Sequence, residues 1–312
     1  MRLGALSILL AAAPLFGQVD LSGSWNPQYH EDQPERIPGP ELVDYLGIPI
    51  NDAARQWALS WDPSRLTVPE HQCQVHTVAY IYRGPLQLRI WEERDPQTQD
   101  VVAIRQYTST YEQNRTIWMD GRPHPPEYAA HTWMGFSTGK WEGNTLTVTT
   151  THIKQGWHRR NGIPSSDQIT LTEHFIKHGN YLTHVSIVTD PVYLTEPLVK
   201  SEDYVQSNGA GNWLWPCEYV DEVAGRAQGA VQHYLPGENP FMTEFANRWN
   251  IPLEAALGGA ETAYPEFRKK IEGKYMRPEQ CVRYCCGWVS NGPPESAPGL
   301  SCITNGSGQI GR

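Results

Sequence analysis

The feature that most constrains the fold is a long stretch, from Val75 to Tyr204, in which apolar and polar residues alternate. Alternation with a period of two is typical of half-buried β-strands, and turn residues divide this stretch into short segments. The predicted strands are residues 75–82, 86–92, 101–109, 115–119, 132–138, 145–154, 168–177, 181–189 and 197–204. Short connections favour an antiparallel meander, and closure into a barrel removes its unpaired edges. We therefore predict a mainly β protein built on an antiparallel barrel.

Glycine-containing turns indicate the register of the strands. The dipeptides typical of tight turns are Asp120-Gly121, Gly143-Asn144 and Gly179-Asn180. A two-residue turn at 143–144 places Trp141 opposite Leu146, and one face of that hairpin carries Trp133, Gly135, Ser137, Trp141, Leu146, Val148, Thr150 and His152, with His131 on the same side. A two-residue turn at 179–180 gives a face carrying Ile169, Leu171, Glu173, Phe175, Leu182, His184, Ser186 and Val188. We expect both faces to line the barrel interior.

Several polar side chains share these apolar faces and form the candidate site. We predict that His131, Trp133, His152, Glu173 and His184 line a ligand-binding cavity. For catalysis, burial would raise the pKa of Glu173 while His152 or His184 titrates near neutrality, which gives an acid and base pair. Alternatively, His131, His152 and His184 could hold a divalent metal ion. The competing explanation is chance, because a β-rich chain with 11 histidines places several of them on one face.

Composition excludes some classes of protein. The formal net charge is −9 and 19% of residues are charged, which argues against a general nucleic-acid binder. No stretch after the N-terminal segment approaches the roughly 20 apolar residues of a membrane-spanning helix. The chain has no Gly-rich phosphate loop, no Gly-x-Ser-x-Gly elbow, no His-Glu-x-x-His motif and no c-type haem attachment site. No motif therefore requires a cofactor, a divalent metal stays open, and the oligomeric state is undetermined.

The regions around the predicted barrel differ from it in composition. Residues 1–18 have a positive start and a short apolar run, which are typical of a secretory signal peptide and indicate a periplasmic or secreted protein. We expect a Pro-rich and helical segment at 19–74, the barrel at 75–205, and a helical and Cys-rich segment at 206–312. The predicted helices are residues 51–59, with Asn51 as N-cap, 221–234, 240–249 and 253–271.

In an exported protein, six cysteines favour disulfides over a metal site. They are Cys73, Cys217, Cys281, Cys285, Cys286 and Cys302. Four of them lie in the C-terminal tail, which leaves Cys73 and Cys217 as the natural long-range pair. The alternative is a zinc or copper site at His71, Cys73 and His76.

Two further groups of residues suggest binding surfaces. Lys154, His158, Arg159 and Arg160 form a basic cluster that could attract a carboxylate or phosphate. A solvated loop paired with nearby acidic residues explains the same cluster more simply. The aromatic candidates for a stacking platform are Trp133, Trp141, Trp157, Trp213 and Trp215.

Two sets of motifs resemble known proteins. Gly23-Ser24-Trp25 resembles the Gly-x-Trp opening of lipocalin-like (calycin-like) barrels, in which the Trp closes one end of the barrel. The motifs at residues 120–125, 131–136, 139–146, 156–162, 171–175 and 190–193 together resemble a family of exported bacterial proteins, abundant in acidobacteria and proteobacteria, without an assigned activity. This resemblance covers roughly residues 40 to 275. It implies an exported β-rich protein and assigns no catalytic residue, whereas the Gly-x-Trp opening implies a calycin-like barrel.

The sequence therefore supports three hypotheses about function. The first is binding of a small, partly apolar molecule in the barrel. The second is an enzyme that uses the same cavity for acid/base or metal-assisted chemistry, such as an isomerase, hydratase, cyclase or hydrolase. The third is a structural or interaction module of the cell envelope.

Overall fold

The computed structural model describes residues 19–28, 42–62, 73–82, 87–109, 111–207, 234–235 and 237–274. The strands are β1 (Gly23–Pro27), β2 (Leu88–Arg94), β3 (Val101–Thr108), β4 (Gln113–Trp118), β5 (Phe136–Glu142), β6 (Thr145–Thr151), β7 (Gly156–Arg159), β8 (Ile163–Ser165), β9 (Thr170–His178), β10 (Tyr181–Thr189) and β11 (Leu198–Ser207). The helices are α1 (Asp52–Leu59), α2 (Val78–Ile81), α3 (Glu244–Trp249), α4 (Leu253–Ala256), a 3₁₀ helix (Ala260–Ala263) and α5 (Pro265–Ile271). The predicted signal peptide, most of the predicted helix at 221–234 and the Cys-rich tail lie outside these ranges.

Among the described residues, nine strands close into a barrel, which confirms the prediction of a mainly β protein with a closed barrel. Their order around the barrel is β1, β11, β10, β9, β6, β5, β4, β3 and β2. The strand β1 closes the circle, since Trp25 lies opposite Gln206 of β11 and Leu88 of β2. The barrel thus includes a strand from ahead of residue 75. Strands β7 and β8 form a separate two-stranded sheet.

Two of the three predicted turns join hairpins in the predicted register. Across the turn at Gly143, Trp141 lies opposite Leu146. Across the turn at Gly179, Phe175 lies opposite His184. Both glycines have a left-handed backbone, with φ of +62° and +61°, as tight hairpin turns of this kind require. Local chain geometry at these two turns therefore determines which residues share each predicted face.

The third predicted turn, Asp120-Gly121, is not a hairpin. Strands β4 and β5 run parallel, and they are joined by the connection formed by residues 119–135. Prolines at 123, 125 and 126 lack the backbone N–H that a returning strand would need, so the chain crosses over instead. Only two residue pairs, Ile117 with Ser137 and Trp118 with Thr138, join β4 to β5. We call this short parallel junction the β4–β5 seam.

The first predicted strand, residues 75–82, is also wrong, because this segment contains helix α2. Val78, Tyr80, Ile81 and Tyr82 are all buried, so the segment has no solvent-facing side. A short apolar run that is buried on every side gives no periodicity that separates a strand from a helix. The Tyr82 carbonyl oxygen accepts a hydrogen bond from the Tyr204 hydroxyl at 3.0 Å, which fixes the end of α2 against β11.

The core has a main cluster inside the barrel and smaller clusters under the helices. Trp25 belongs to the main cluster and is fully buried, and its Nε1 donates to the Leu21 carbonyl at 3.0 Å. The prediction of α1 is confirmed, because Asn51 Oδ1 accepts a hydrogen bond from the Ala54 amide at 3.0 Å. Helices also occur within the predicted ranges 240–249 and 253–271. Within the described ranges, no helix is long and apolar enough to cross a membrane.

Two glycines of the 119–135 connection allow a test of how tightly it packs on the barrel. Gly135 and Gly121 both have positive φ, but a Cβ at Gly135 would lie 2.6 Å from the Thr151 carbonyl oxygen, whereas nothing lies within 4 Å of a Cβ at Gly121. We expect Gly121→Ala to lower the free energy of unfolding by about 1 kcal/mol, from backbone strain alone. Gly135→Ala should cost about 2 kcal/mol more, because of the clash. Urea denaturation measures both, and equal losses would contradict close packing of Gly135 on β6.

Candidate functional site

Two of the predicted site residues, Glu173 and His184, lie side by side inside the barrel. They occupy the neighbouring strands β9 and β10, and both side chains are fully buried. His184 Nε2 lies 3.0 Å from Glu173 Oε1, and His184 Nδ1 lies 2.9 Å from Oε2 of Glu202 on β11. The imidazole ring stacks on Phe175, with 4.6 Å between ring centres. The predicted hairpin register therefore placed this pair correctly.

The main partner of Glu173 is Arg115 of β4, which our sequence analysis did not single out. Arg115 Nη1 donates to Glu173 Oε1 at 2.9 Å, and Nη2 donates to the second carboxylate oxygen, so the pair is bidentate. Arg115 is buried as well. The sequence contained one signal for this residue. Arg115 and Ile117 are two residues apart in the predicted strand, so both face the barrel interior.

The remaining donors of Arg115 bind hydroxyl groups from three other elements. Nη1 donates to the Tyr82 hydroxyl at 2.6 Å, Nη2 donates to Thr150 Oγ1 at 2.8 Å, and Nε donates to Ser137 Oγ at 3.1 Å. Tyr82 in turn donates to Gln106 Oε1. We call this group the barrel-interior network: Tyr82, Gln106, Arg115, Ser137, Thr150, Glu173, His184 and Glu202. Every nitrogen of the guanidinium group therefore has an acceptor.

The network sets the protonation of its members. Burial by itself would raise the pKa of Glu173, but the charge of Arg115 and hydrogen bonds from His184 and Arg115 lower this pKa to about 2. Burial would lower the pKa of His184, but its hydrogen bonds to Glu173 and Glu202 raise this pKa to about 9. The predicted upward shift of the Glu173 pKa is therefore wrong, because it omitted Arg115. At neutral pH the pair is a carboxylate and an imidazolium, and neither is poised to exchange a proton.

One polar atom of the network has no partner. Gln106 is 1% exposed, and its Nε2 makes no hydrogen bond. The orientation of the amide follows from chemistry: Gln106 Oε1 faces Arg115 Nη1 at 3.3 Å, and a guanidinium group can only donate. The amide nitrogen must therefore point away from Arg115. An unsatisfied buried donor costs free energy, so this atom marks a place where an acceptor is expected.

The other two predicted histidines, His131 and His152, lie elsewhere, so the expectation of one shared cavity is wrong. Their rings contact each other, with 5.2 Å between centres. His152 Nε2 lies 3.0 Å from the Pro126 carbonyl oxygen, and His131 Nδ1 lies 3.0 Å from the Ile153 carbonyl oxygen. His152 follows the end of β6 with a positive φ of 58°, which breaks the alternation that placed it inside.

The aromatic and basic candidates mostly have structural contacts. Lys154 Nζ lies 5.1 Å from the centre of the Trp133 ring. Trp157 packs edge-on against Trp61 at 4.7 Å. His158 Nε2 lies 2.8 Å from Asp190 Oδ2.

Two more of these candidates fit structural roles as well. Arg159 Nη1 donates to the carbonyl and carboxylate of Asp44 at 2.7 and 3.0 Å. Pairing with acids thus explains two members of the predicted basic cluster. Trp141 packs against the interior cluster, and Trp213 and Trp215 lie outside the described residues.

The described residues bear on the predicted histidine metal site but not on the predicted disulfides. In the part of the chain that the structure describes, no three His, Cys, Asp or Glu side chains are arranged to hold a metal ion. His76 contacts the rings of Tyr80 and Tyr111, with 5.0 and 5.3 Å between centres. Cys73 is described, whereas His71 and the other five cysteines, Cys217 among them, lie outside the described residues. The disulfides stay a prediction.

The fold and the site together define a closed β-barrel protein whose interior holds a buried network of two cations and two carboxylates. No protein-family profile, curated protein or solved structure matches this chain.

Proposed function

We propose that this protein is an exported binding protein that holds a small, partly apolar molecule inside its barrel. The observation that carries the proposal is the unpartnered Gln106 Nε2, a buried donor inside the barrel. Ligand sites in proteins combine mostly apolar walls with a few placed polar groups, and small barrels can enclose one such molecule. Export to the periplasm or medium rests on the composition of residues 1–18.

The surroundings of Gln106 fit a partly apolar occupant. On β3 its neighbours across the sheet are Ile90 of β2 and Arg115 of β4. Ile90 and Ile104, which is two residues earlier on the same face, are each 2% exposed. A molecule that accepts a hydrogen bond from Nε2 would therefore meet aliphatic side chains beside it.

The network favours binding over acid/base catalysis. Glu173 is held ionised and His184 is held protonated, so the two groups that the catalytic hypothesis needs are committed to each other and to Arg115. Such fixed hydrogen bonds lock the side chains around the site. Preorganised groups lose little conformational freedom on binding, which favours affinity.

Native mass spectrometry of the protein purified from its producing cells tests the proposal. We expect a noncovalent adduct of small-molecule mass that dissociates on collisional activation. Gln106→Met should weaken retention of the adduct about tenfold, because it removes one hydrogen bond to the bound molecule. Asn114→Leu, an exposed side chain on β4, should leave retention unchanged. Protein that carries no adduct and binds no apolar probe would overturn the proposal.

A further inference from the structure

We infer that the molecule bound in the barrel is electrically neutral and presents an acceptor oxygen, such as a carbonyl, to Gln106 Nε2. This inference rests on the function proposed above and narrows it to a class of ligand. The inference excludes charged amphiphiles, such as fatty acids and long-chain amines, as the bound molecule.

The charges inside the barrel already balance. The interior network contains two cations, Arg115 and His184, and two carboxylates, Glu173 and Glu202. Each cation already contacts a carboxylate, at distances of 2.9 to 3.0 Å for the imidazole nitrogens and for Arg115 Nη1. A charged ligand would therefore be buried without a counter-ion of its own. Burying an unpaired charge is far more costly than burying a neutral polar group.

The charged hydrogen-bond donors of the network already have acceptors. A carboxylate ligand would need free donors, but all three guanidinium nitrogens of Arg115 already donate, and both nitrogens of His184 face carboxylates. Within the network, the donors that remain are neutral: the amide nitrogen of Gln106, and one of the Ser137 and Thr150 hydroxyls, because only one of these two can donate to the other. The neutral amide group of Gln106 suits a carbonyl, ether or hydroxyl oxygen. It offers an anion no positive charge.

An isolated water molecule fits the surroundings of Gln106 Nε2 poorly. A buried water is typically held by two to four polar partners. Among the fully buried atoms of the network, Gln106 Nε2 alone lacks a partner, and the neighbouring side chains Ile90 and Ile104 are aliphatic. A molecule with one acceptor oxygen and an apolar body matches this environment better than water does.

Four probes of equal chain length test the inference: 2-decanone, decane, decanoate and decylamine. Binding to the full protein is measured by quenching of tryptophan fluorescence at pH 7. We expect 2-decanone to bind about tenfold more tightly than decane, through one hydrogen bond. Decanoate and decylamine should bind at least about 100-fold more weakly than the ketone. Gln106→Met should remove the preference for ketone over alkane, and Asn114→Leu should keep it.

The outcomes separate the inference from the proposed function. Decanoate or decylamine binding as tightly as 2-decanone would overturn the inference and leave a binding protein. A charged molecule released from the native protein would do the same, and a neutral carbonyl or hydroxyl compound would support the inference. If no probe binds and the native protein carries no adduct, the proposed function fails and the inference fails with it.

Discussion

Replacement of Arg115 by methionine is expected to lower the free energy of unfolding by about 3 to 5 kcal/mol, because it leaves the Glu173 carboxylate buried without its bidentate partner. This loss of free energy comes from burying a charge without its counter-charge, rather than from the loss of one contact. Urea denaturation at pH 7, followed by fluorescence, measures it. If the single variant fails to fold, Arg115→Met with Glu173→Leu should restore folding, because the second change removes the stranded charge.

The chain offers a matched control on the outside of the same sheet. Arg105 of β3 pairs with Glu93 of β2 at 2.6 Å, but these side chains are 33% and 45% exposed. Because water screens this pair, Arg105→Met should cost no more than about 1 kcal/mol. Similar losses for Arg115→Met and Arg105→Met would show that the buried network does not stabilise the fold as we describe.

Stability should also fall as the pH rises from 6.5 to 9, and this loss should belong to His184. Its pKa is raised from 6.5 to about 9 in the folded protein, so its proton stabilises the fold fully below pH 6.5 and ceases to do so as pH passes through 9. The loss should exceed about 1 kcal/mol, since one pKa unit corresponds to about 1.4 kcal/mol. Unfolding free energies at intervals between pH 6 and pH 9.5 measure the slope.

At low pH the dependence of stability on pH has the opposite sign, so stability falls as the pH falls. The pKa of Glu173 is lowered from 4.5 to about 2, so its stabilisation is present above pH 4.5 and is lost as pH falls towards 2. Asp190, whose pKa is held near 2 against burial by His158 and Ser166, loses its stabilisation over a similar range. The pKa values of Asp20, Asp95, Asp120 and Glu142 are lowered as well, so several carboxylates contribute to the loss of stability at low pH. Among the described residues, the pKa that is raised into the range from 6.5 to 9 is that of His184. His184→Gln should remove most of the fall in stability between pH 6.5 and 9. An unchanged slope in this variant would assign that fall to another group.

How much of the site could be predicted depended on local chain geometry. The turns at Gly143 and Gly179 fix their strand pairs within a few residues, so the inward positions of Glu173 and His184 followed from the sequence. The helix after Asn51 was predictable for a similar reason, since its cap lies three residues from the amide that it binds. Signals of this kind need no knowledge of the rest of the fold.

Long-range partners were beyond the same reasoning. Arg115 lies 58 residues from Glu173 in the chain, and their contact depends on closure of the whole barrel. Missing Arg115 reversed the predicted direction of the Glu173 pKa, because burial was weighed without its counter-charge. The prediction for His152 was wrong for another reason. His152 follows the end of β6 with a left-handed backbone, which turns its side chain away from the predicted face.

The β4–β5 seam has a consequence for how the barrel assembles. Backbone pairing there is confined to two residue pairs, yet Arg115 of β4 and Ser137 of β5 are joined across it by a side-chain hydrogen bond at 3.1 Å. Arg115 of β4 also contacts Glu173 of β9, which is 58 residues away in the chain. Such long-range contacts form later in folding than local hairpins do. Pairing of β4 with β5 and enclosure of the Arg115–Glu173 ion pair therefore depend on each other, so this part of the barrel wall and the charged interior form together.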